Sequence, residues 1–254
     1  MCPVQLCVPC VHGVGMLANL IPSPPAPFLA RFEHVRKSMI EHLRNWGYEV
    51  YWKVLDTKTQ GLPQSRPRFY LVAIRAWFNL NANTFNFPPP IEAVPLGRLL
   101  EGRDAAAAGK PLRFAQMQRV QAARVKLESA GYLPEATDAV VDVGSSAKWS
   151  HVMRGCSPCL TASRAKTGGH YLVAKRRLMT EREMQGIPDG RFDYEMAKVS
   201  QSKFLHAVGN AMSSNVVARI LARALPAAGL NRGRILVEPE ADALLKRLTE
   251  KDDD

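Results

Sequence analysis

The six residues Phe69-Tyr70-Leu71-Val72-Ala73-Ile74 form an unbroken apolar run, and no other segment restricts the fold as much. A strand with one wet face alternates apolar and polar residues, whereas a run of this kind reads as a strand covered on both faces. Covering both faces requires a layer on either side, so the run belongs buried inside a parent sheet. The residues before it supply neighbours. Phe32, Val35, Met39, Leu43 and Trp46 recur at steps of three and four, which is one face of a helix. Gly47 stands where a helix stop is expected. Tyr48, Val50, Trp52 and Val54 then alternate with Glu49, Tyr51 and Lys53, the period of a strand. Asp56 to Arg66, with Gly61 and Pro63, reads as a loop. The first ordered unit is therefore helix, strand, loop, strand.

The rest of the 254 residues carries weaker patterns. Residues 1–30 show no clear element, and Ile21 to Pro27 contains four prolines. Trp77 to Gly97 reads as irregular, Phe114 to Ala130 as a helix bearing Arg119, Arg124 and Lys126, and Pro134 to Ser150 as ambiguous. Cys156 to Gly169 reads as a loop and Tyr171 to Ala174 as a short strand. Ser213 or Ser214 suits an N-cap, followed by the stripe Val216, Val217, Ile220, Leu221 and Ala224. No run of about eighteen apolar residues is present, so no membrane span is indicated. No basic region followed by an apolar run marks a secretory signal. Five cysteines, an odd and sparse set, fit an intracellular, reduced chain better than a disulfide framework. The formal net charge of +11 suits a polyanionic partner, and equally a solvated basic surface.

Three segments together resemble the cytosine-5 DNA methyltransferase family. Gly61-Leu62-Pro63-Gln64-Ser65-Arg66-Pro67-Arg68 is similar to that family's Gly-x-Pro-Gln-x-Arg-x-Arg motif. A loop presenting two guanidiniums can grip a phosphate or the edge of an extruded base by forked hydrogen bonds, although two arginines after a turn also suit a wet surface. Ser157-Pro158-Cys159-Leu160-Thr161, then Arg177-Leu178-Met179-Thr180-Glu181-Arg182-Glu183, then Gln185-Gly186-Ile187-Pro188 resemble the family's Ser-Pro-x-x-Thr, Arg-x-Leu-Thr-x-x-Glu and Gln-Gly-Phe-Pro. Only Met184 separates Glu183 from Gln185, about one helical turn fewer than the family has. Val208-Gly209-Asn210-Ala211 matches its Gly-Asn-Ala segment. The order is the family's, and the match covers roughly residues 31 to 225.

The resemblance also defines what is missing. The family's nucleophile is a cysteine in a Pro-Cys-Gln loop that attacks a flipped cytosine, assisted by the Glu of a Glu-Asn-Val motif. S-adenosylmethionine, the cofactor, sits on a Gly-rich turn after the first strand. Residues 1–65 alone precede Arg66, and none of these motifs is intact in them. Val11 to Leu17 occupies roughly the place of Glu-Asn-Val-x-Gly-Leu-Leu, which would put Val11 where the Glu belongs. Cys10 is followed by Val11 rather than Gln, and Gly13-x-Gly15 follows no predicted strand. Cys7/Cys10 and Cys156/Cys159 have zinc-ligand spacing, but the family uses the second loop without metal, and no metal site is expected.

The expected fold is accordingly α/β: a partial Rossmann-like methyltransferase sheet plus a small irregular target-recognition domain. Residues 31–76 and 170–228 would form the partial catalytic domain, 77–169 the target-recognition region, and 229–254 a tail. By resemblance, Arg66 and Arg68 hold the target base or its phosphate and Gln64 supports their loop. Asn210 and Ala211 lie beside S-adenosylmethionine. Arg113, Arg119, Arg124, Arg164 and Lys166 are candidate contacts to double-stranded DNA. Three readings stay open: a truncated methyltransferase, one half of a split enzyme whose N-terminal half is a partner, or a non-catalytic DNA-binding or regulatory relic. In each the chain alone transfers no methyl group, and an intracellular address is expected, open between nucleus and cytoplasm with the nucleus slightly favoured.

Overall fold

The two faces of residues 69–74 are indeed both covered, and the strand that contains them organises the first half of the structure. The computed structural model describes residues 14–19 (backbone only), 33–75, 85–100, 111–146, 150–161, 169–180, 183–184 and 211–229, with 200, 203, 206, 207 and 209 singly. Val11, Cys7, Cys10, Arg164, Lys166, Gln185 to Pro188, Asn210 and the tail after residue 229 lie outside the described residues. The chain divides into two compact units, one built on residues 1–61, 67–92 and 212–246, the other on 62–66, 93–211 and 247–254.

In the first unit, β1 (Val14–Asn19), β2 (Tyr48–Asp56) and β3 (Pro67–Arg75) form a sheet in the order β1-β3-β2. Both pairings are antiparallel, with Val14 opposite Ile74 and Tyr48 opposite Arg75. Side chains alternate across the sheet. Tyr70, Val72 and Ile74 therefore meet Val216, Ile220 and Ala224 of helix α3 (Ser214–Ala227). Phe69, Leu71 and Ala73 meet Ile40 of helix α1 (Glu33–Asn45). A continuous apolar sequence is thus what a strand between two helical layers needs, each fully buried large side chain contributing about 1.5–3 kcal/mol.

Two local readings are corrected. The predicted face of α1 ran through Val35 and Trp46, but these are 46% and 66% exposed. The sheet is met by Ile40, with Met39 and Leu43 beside it. Three- and four-residue steps leave a choice of rows, and the sheet selects the row centred on residue 40. β1 lies in the stretch where the sequence shows no element; its six residues become a strand by pairing with β3, a partner far away in sequence. Gly47 ends α1 as expected, at φ 80°, donating its N–H to the Arg44 carbonyl at 2.9 Å.

In the second unit, β4 (Ala139–Asp142), β5 (Val152–Arg154), β6 (His170–Leu172) and β7 (Arg177–Leu178) form an antiparallel sheet in the order β5-β4-β6-β7. Helix α2 (Phe114–Ser129) lays Val120, Ala123 and Leu127 on Ala139, Val141 and Val143. Val140 faces the opposite way, into Leu96, Leu100, Leu160, Leu172, Met179 and Met184. The ambiguous stretch 134–150 therefore holds the central strand β4. Residues 85–95 have no regular element, and a 3-10 turn follows at Leu96–Leu99.

Candidate functional site

The Gln64 to Arg68 loop is built from backbone contacts first. Gln64 bridges in parallel to Ser157. Ser65 N–H donates to the Ser157 carbonyl at 2.8 Å, and Ser157 N–H donates to the Pro63 carbonyl at 2.7 Å. The first and second motif segments are therefore laced together directly.

Arg66 then ties in the third. Its side chain is 4% exposed. Nη1 donates to the Leu160 carbonyl at 2.9 Å, and Nη2 donates to the carbonyls of Gly209, at 3.0 Å, and Ala211. Leu160 belongs to the Ser-Pro loop, and Gly209 and Ala211 flank Asn210 in the Gly-Asn-Ala segment. A planar guanidinium with five N–H donors suits this task, since one group can satisfy several buried carbonyls at fixed angles. In this structure Arg66 is a brace among three chain segments. Arg68 is likewise buried, with Nη1 donating to the Pro67 carbonyl at 2.8 Å.

A sequence model of C-5 cytosine-specific DNA methylases matches residues 28–225, the span that contains all three braced segments. The chain belongs to the C-5 cytosine-specific DNA methylase family. It is 33% identical over 214 residues to the type II methyltransferase M.NgoBI of Neisseria gonorrhoeae, covering 81% of this chain and 61% of that protein. It is 46% identical over 67 residues to the type II methyltransferase M.MspI of a Moraxella species, covering 26% of this chain and 15% of that protein. The chain thus spans about three fifths of the Neisseria protein and a smaller part of the Moraxella one. The fold is similar to that of the Entamoeba histolytica methyltransferase EhMeth, with a TM-score of 0.52 at 14% identity, covering 84% of this chain and 62% of that one. The partial Rossmann-like α/β class expected from the sequence is the class found.

The family's other polar signature is also assembled. Arg177 and Glu183 form a buried two-pronged ion pair, Nη1 to Oε2 at 2.7 Å and Nη2 to Oε1 at 2.6 Å. Thr180 N–H donates to Glu183 Oε2 at 2.8 Å, and Glu183 N–H donates to Thr180 Oγ at 3.2 Å. That reciprocal Thr-x-x-Glu pair is a capping box, so the motif carries a structural reason for its spacing.

The remaining candidates separate. Arg113 stands exposed at the N-cap of α2, where its N–H donates to Gln116 Oε1 at 3.0 Å. Arg119 is half-buried and donates to the Val143 carbonyl at 2.5 Å. Arg124 is paired with Glu135, which Arg176 also approaches at 3.4 Å. The hydrogen bond from Arg124 is the main reason the Glu135 carboxyl lies below the usual carboxylate range. Ala211 is exposed, and its carbonyl accepts from Arg66. Among the described residues no Gly-rich turn follows a strand. The Cys156 and Cys159 thiols are half-buried and donate to the Ser157 and Leu160 carbonyls. Among the described residues no metal-binding cluster forms and no helix is long and apolar enough to cross a membrane.

Sequence reasoning missed Arg219 altogether. It is buried in α3, with Nη1 donating to Gln60 Oε1 at 2.9 Å and Nη2 to the Pro89 carbonyl at 3.0 Å. Asn215 Nδ2 donates to the Gln60 carbonyl at 2.6 Å. The signal was available: Arg219 lies three residues after Val216, a spacing that keeps it beside the stripe read as apolar.

Proposed function

We propose that this chain is the DNA-facing portion of a DNA (cytosine-5) methyltransferase, which in complete form moves a methyl group from S-adenosylmethionine to cytosine in double-stranded DNA inside the cell. The observation that carries the reading is Arg66: one guanidinium joins the three segments whose order defines the family. Residues 77–169 serve as the target-recognition region, with Arg113 and Arg119 among its phosphate contacts and Arg124 available after exchange of Glu135. Arg68 supports the target base, Gln64 supports its loop, and Asn210 and Ala211 border the cofactor. An N-terminal portion, as part of the same protein or as a partner, supplies the Pro-Cys-Gln nucleophile, the Glu-Asn-Val acid and the Gly-rich turn.

Methyl incorporation into duplex DNA from labelled S-adenosylmethionine tests this directly. The chain alone transfers nothing, and co-expression with the N-terminal portion of a type II methyltransferase relative restores transfer. Incorporation by the chain alone, abolished by Cys10→Ser, overturns the division of labour.

A further inference from the structure

Helix α2 has one flank that its role in the core does not use. Ala115, Gln118, Arg119, Ala122 and Lys126 follow each other at helical steps along it. They line a half-open groove of about 250 Å³ whose other wall is Val141, Ser150, His151 and Val152. The groove exists because alanines occupy 115, 122 and 123, where longer side chains would fill the space.

Its chemistry is one-sided. The three ionisable groups in the lining, Arg119, Lys126 and His151, are all basic types, and no carboxylate lines it. Asp142, the acid nearest in sequence to Val141, is buried and accepts the Gly144 and Ser145 N–H groups at 3.1 Å each. Arg119 is held in place by its bond to the Val143 carbonyl, which uses one of five donors. Ser150 is fixed by donating its hydroxyl to the Asp142 carbonyl at 2.7 Å. Behind these polar groups the floor is alanine and valine. A positioned guanidinium in a lining that also carries an ammonium suits a phosphate, the apolar floor suits a planar ring, and the Gln118 amide suits the edge of a base. The volume is at or below the low end for small-ligand sites, which limits the occupant to one nucleotide.

We propose that the groove between α2 and the β4–β5 edge binds a single nucleoside monophosphate unit, phosphate on Arg119 and Lys126 and base over Ala122 and Val152. The choice of a nucleotide rests on the DNA-facing reading above; the groove itself does not. The unit can come from a DNA strand or from a free nucleotide, and both are tested.

Using the full chain, calorimetry with deoxycytidine and deoxyadenosine monophosphate, with inorganic phosphate alongside, covers the free source. Fluorescence anisotropy with a labelled duplex and its single strand covers DNA. Arg119→Ala removes the phosphate partner, and Ala122→Phe fills the groove at an exposed helical position while leaving every charge in place. Arg44→Ala, exposed on α1, serves as the control for general charge, and circular dichroism melts confirm folding. The expected result is a loss of roughly ten- to a hundredfold in nucleotide affinity for Arg119→Ala and a comparable loss for Ala122→Phe, with Arg44→Ala unchanged. If free nucleotides do not bind but both groove variants weaken the oligonucleotide, the unit belongs to DNA, and Arg119→Ala lowers the salt slope by about 1. Phosphate binding as tight as nucleotide with Ala122→Phe silent overturns the proposal, as does absence of binding in both arms. Neither of those outcomes touches the methyl-transfer reading, which is decided by incorporation with the N-terminal portion present.

Discussion

Arg66→Ala removes the brace and should be costly well beyond an ordinary surface change. The guanidinium donates to the buried Leu160 and Gly209 carbonyls at 2.9 and 3.0 Å, and to the exposed Ala211. A hydrogen bond from a charged donor contributes roughly 1.5–3 kcal/mol, and water can replace the donor at Ala211. The two buried acceptors set a gross loss of about 3–6 kcal/mol. Part is returned because a guanidinium held away from water carries a desolvation cost, which leaves about 2–4 kcal/mol as the net expectation. Arg66→Lys keeps the charge but not the planar fork, so it falls between the two. Urea unfolding reads the change as a shift in midpoint at constant slope, and hydrogen exchange over 157–160 reads it locally. A loss below about 0.5 kcal/mol, the range of neutral surface substitutions, together with unchanged exchange at 157–160, refutes the brace.

Glu183→Gln leaves the buried Arg177 without its counter-charge and should cost about 3–5 kcal/mol in the same urea assay; pairing it with Arg177→Met should recover much of that loss, and no recovery refutes the pairing argument. Gly47→Ala places a side chain at φ 80°, where nothing lies within 4 Å of the added Cβ. The cost is therefore the left-handed backbone alone, about 1–2 kcal/mol, seen as a lower Tm and largely absent in Gly47→Asn. The Tyr51 phenol is pushed up to about 12 by burial and then by its bond to the Glu49 carboxylate at 2.8 Å. The folded state holds this proton more tightly than the unfolded chain, so the linked stability is complete below the ordinary tyrosine value of 10.0 and declines as pH rises towards 12. Ultraviolet titration should show one late phenolate that Tyr51→Phe removes; its persistence in that variant refutes the assignment.

Periodicity made the main elements legible. The helix read from 31 to 46, the strands read at 48–55 and 69–74, and the helix read at 114–130 all lie within two residues of α1, β2, β3 and α2. Ser213 was one of two N-cap candidates and is the one used, but its hydroxyl pairs with Thr57 Oγ1 at 2.8 Å rather than capping a helix N–H. What the sequence could not supply were facts made by distant partners. β1 and β4 are short, and pairing rather than composition makes them strands. The same limit applies to Arg66. Gln-x-Arg-x-Arg announces guanidiniums without saying whether they face a ligand or a carbonyl, because the carbonyls in question lie at 160, 209 and 211.

Those separations have a kinetic consequence. Arg66 reaches partners 94, 143 and 145 residues away, so its bonds cannot form until long stretches of chain have been looped together. Loop closure grows only slowly with length, about 0.6 kcal/mol per doubling, but non-local contacts slow folding and tend to form late. Arg66 should therefore be nearly silent in the folding transition state, with a φ-value close to zero. Its removal should shorten the lifetime of the native chain far more than it delays the chain's arrival there.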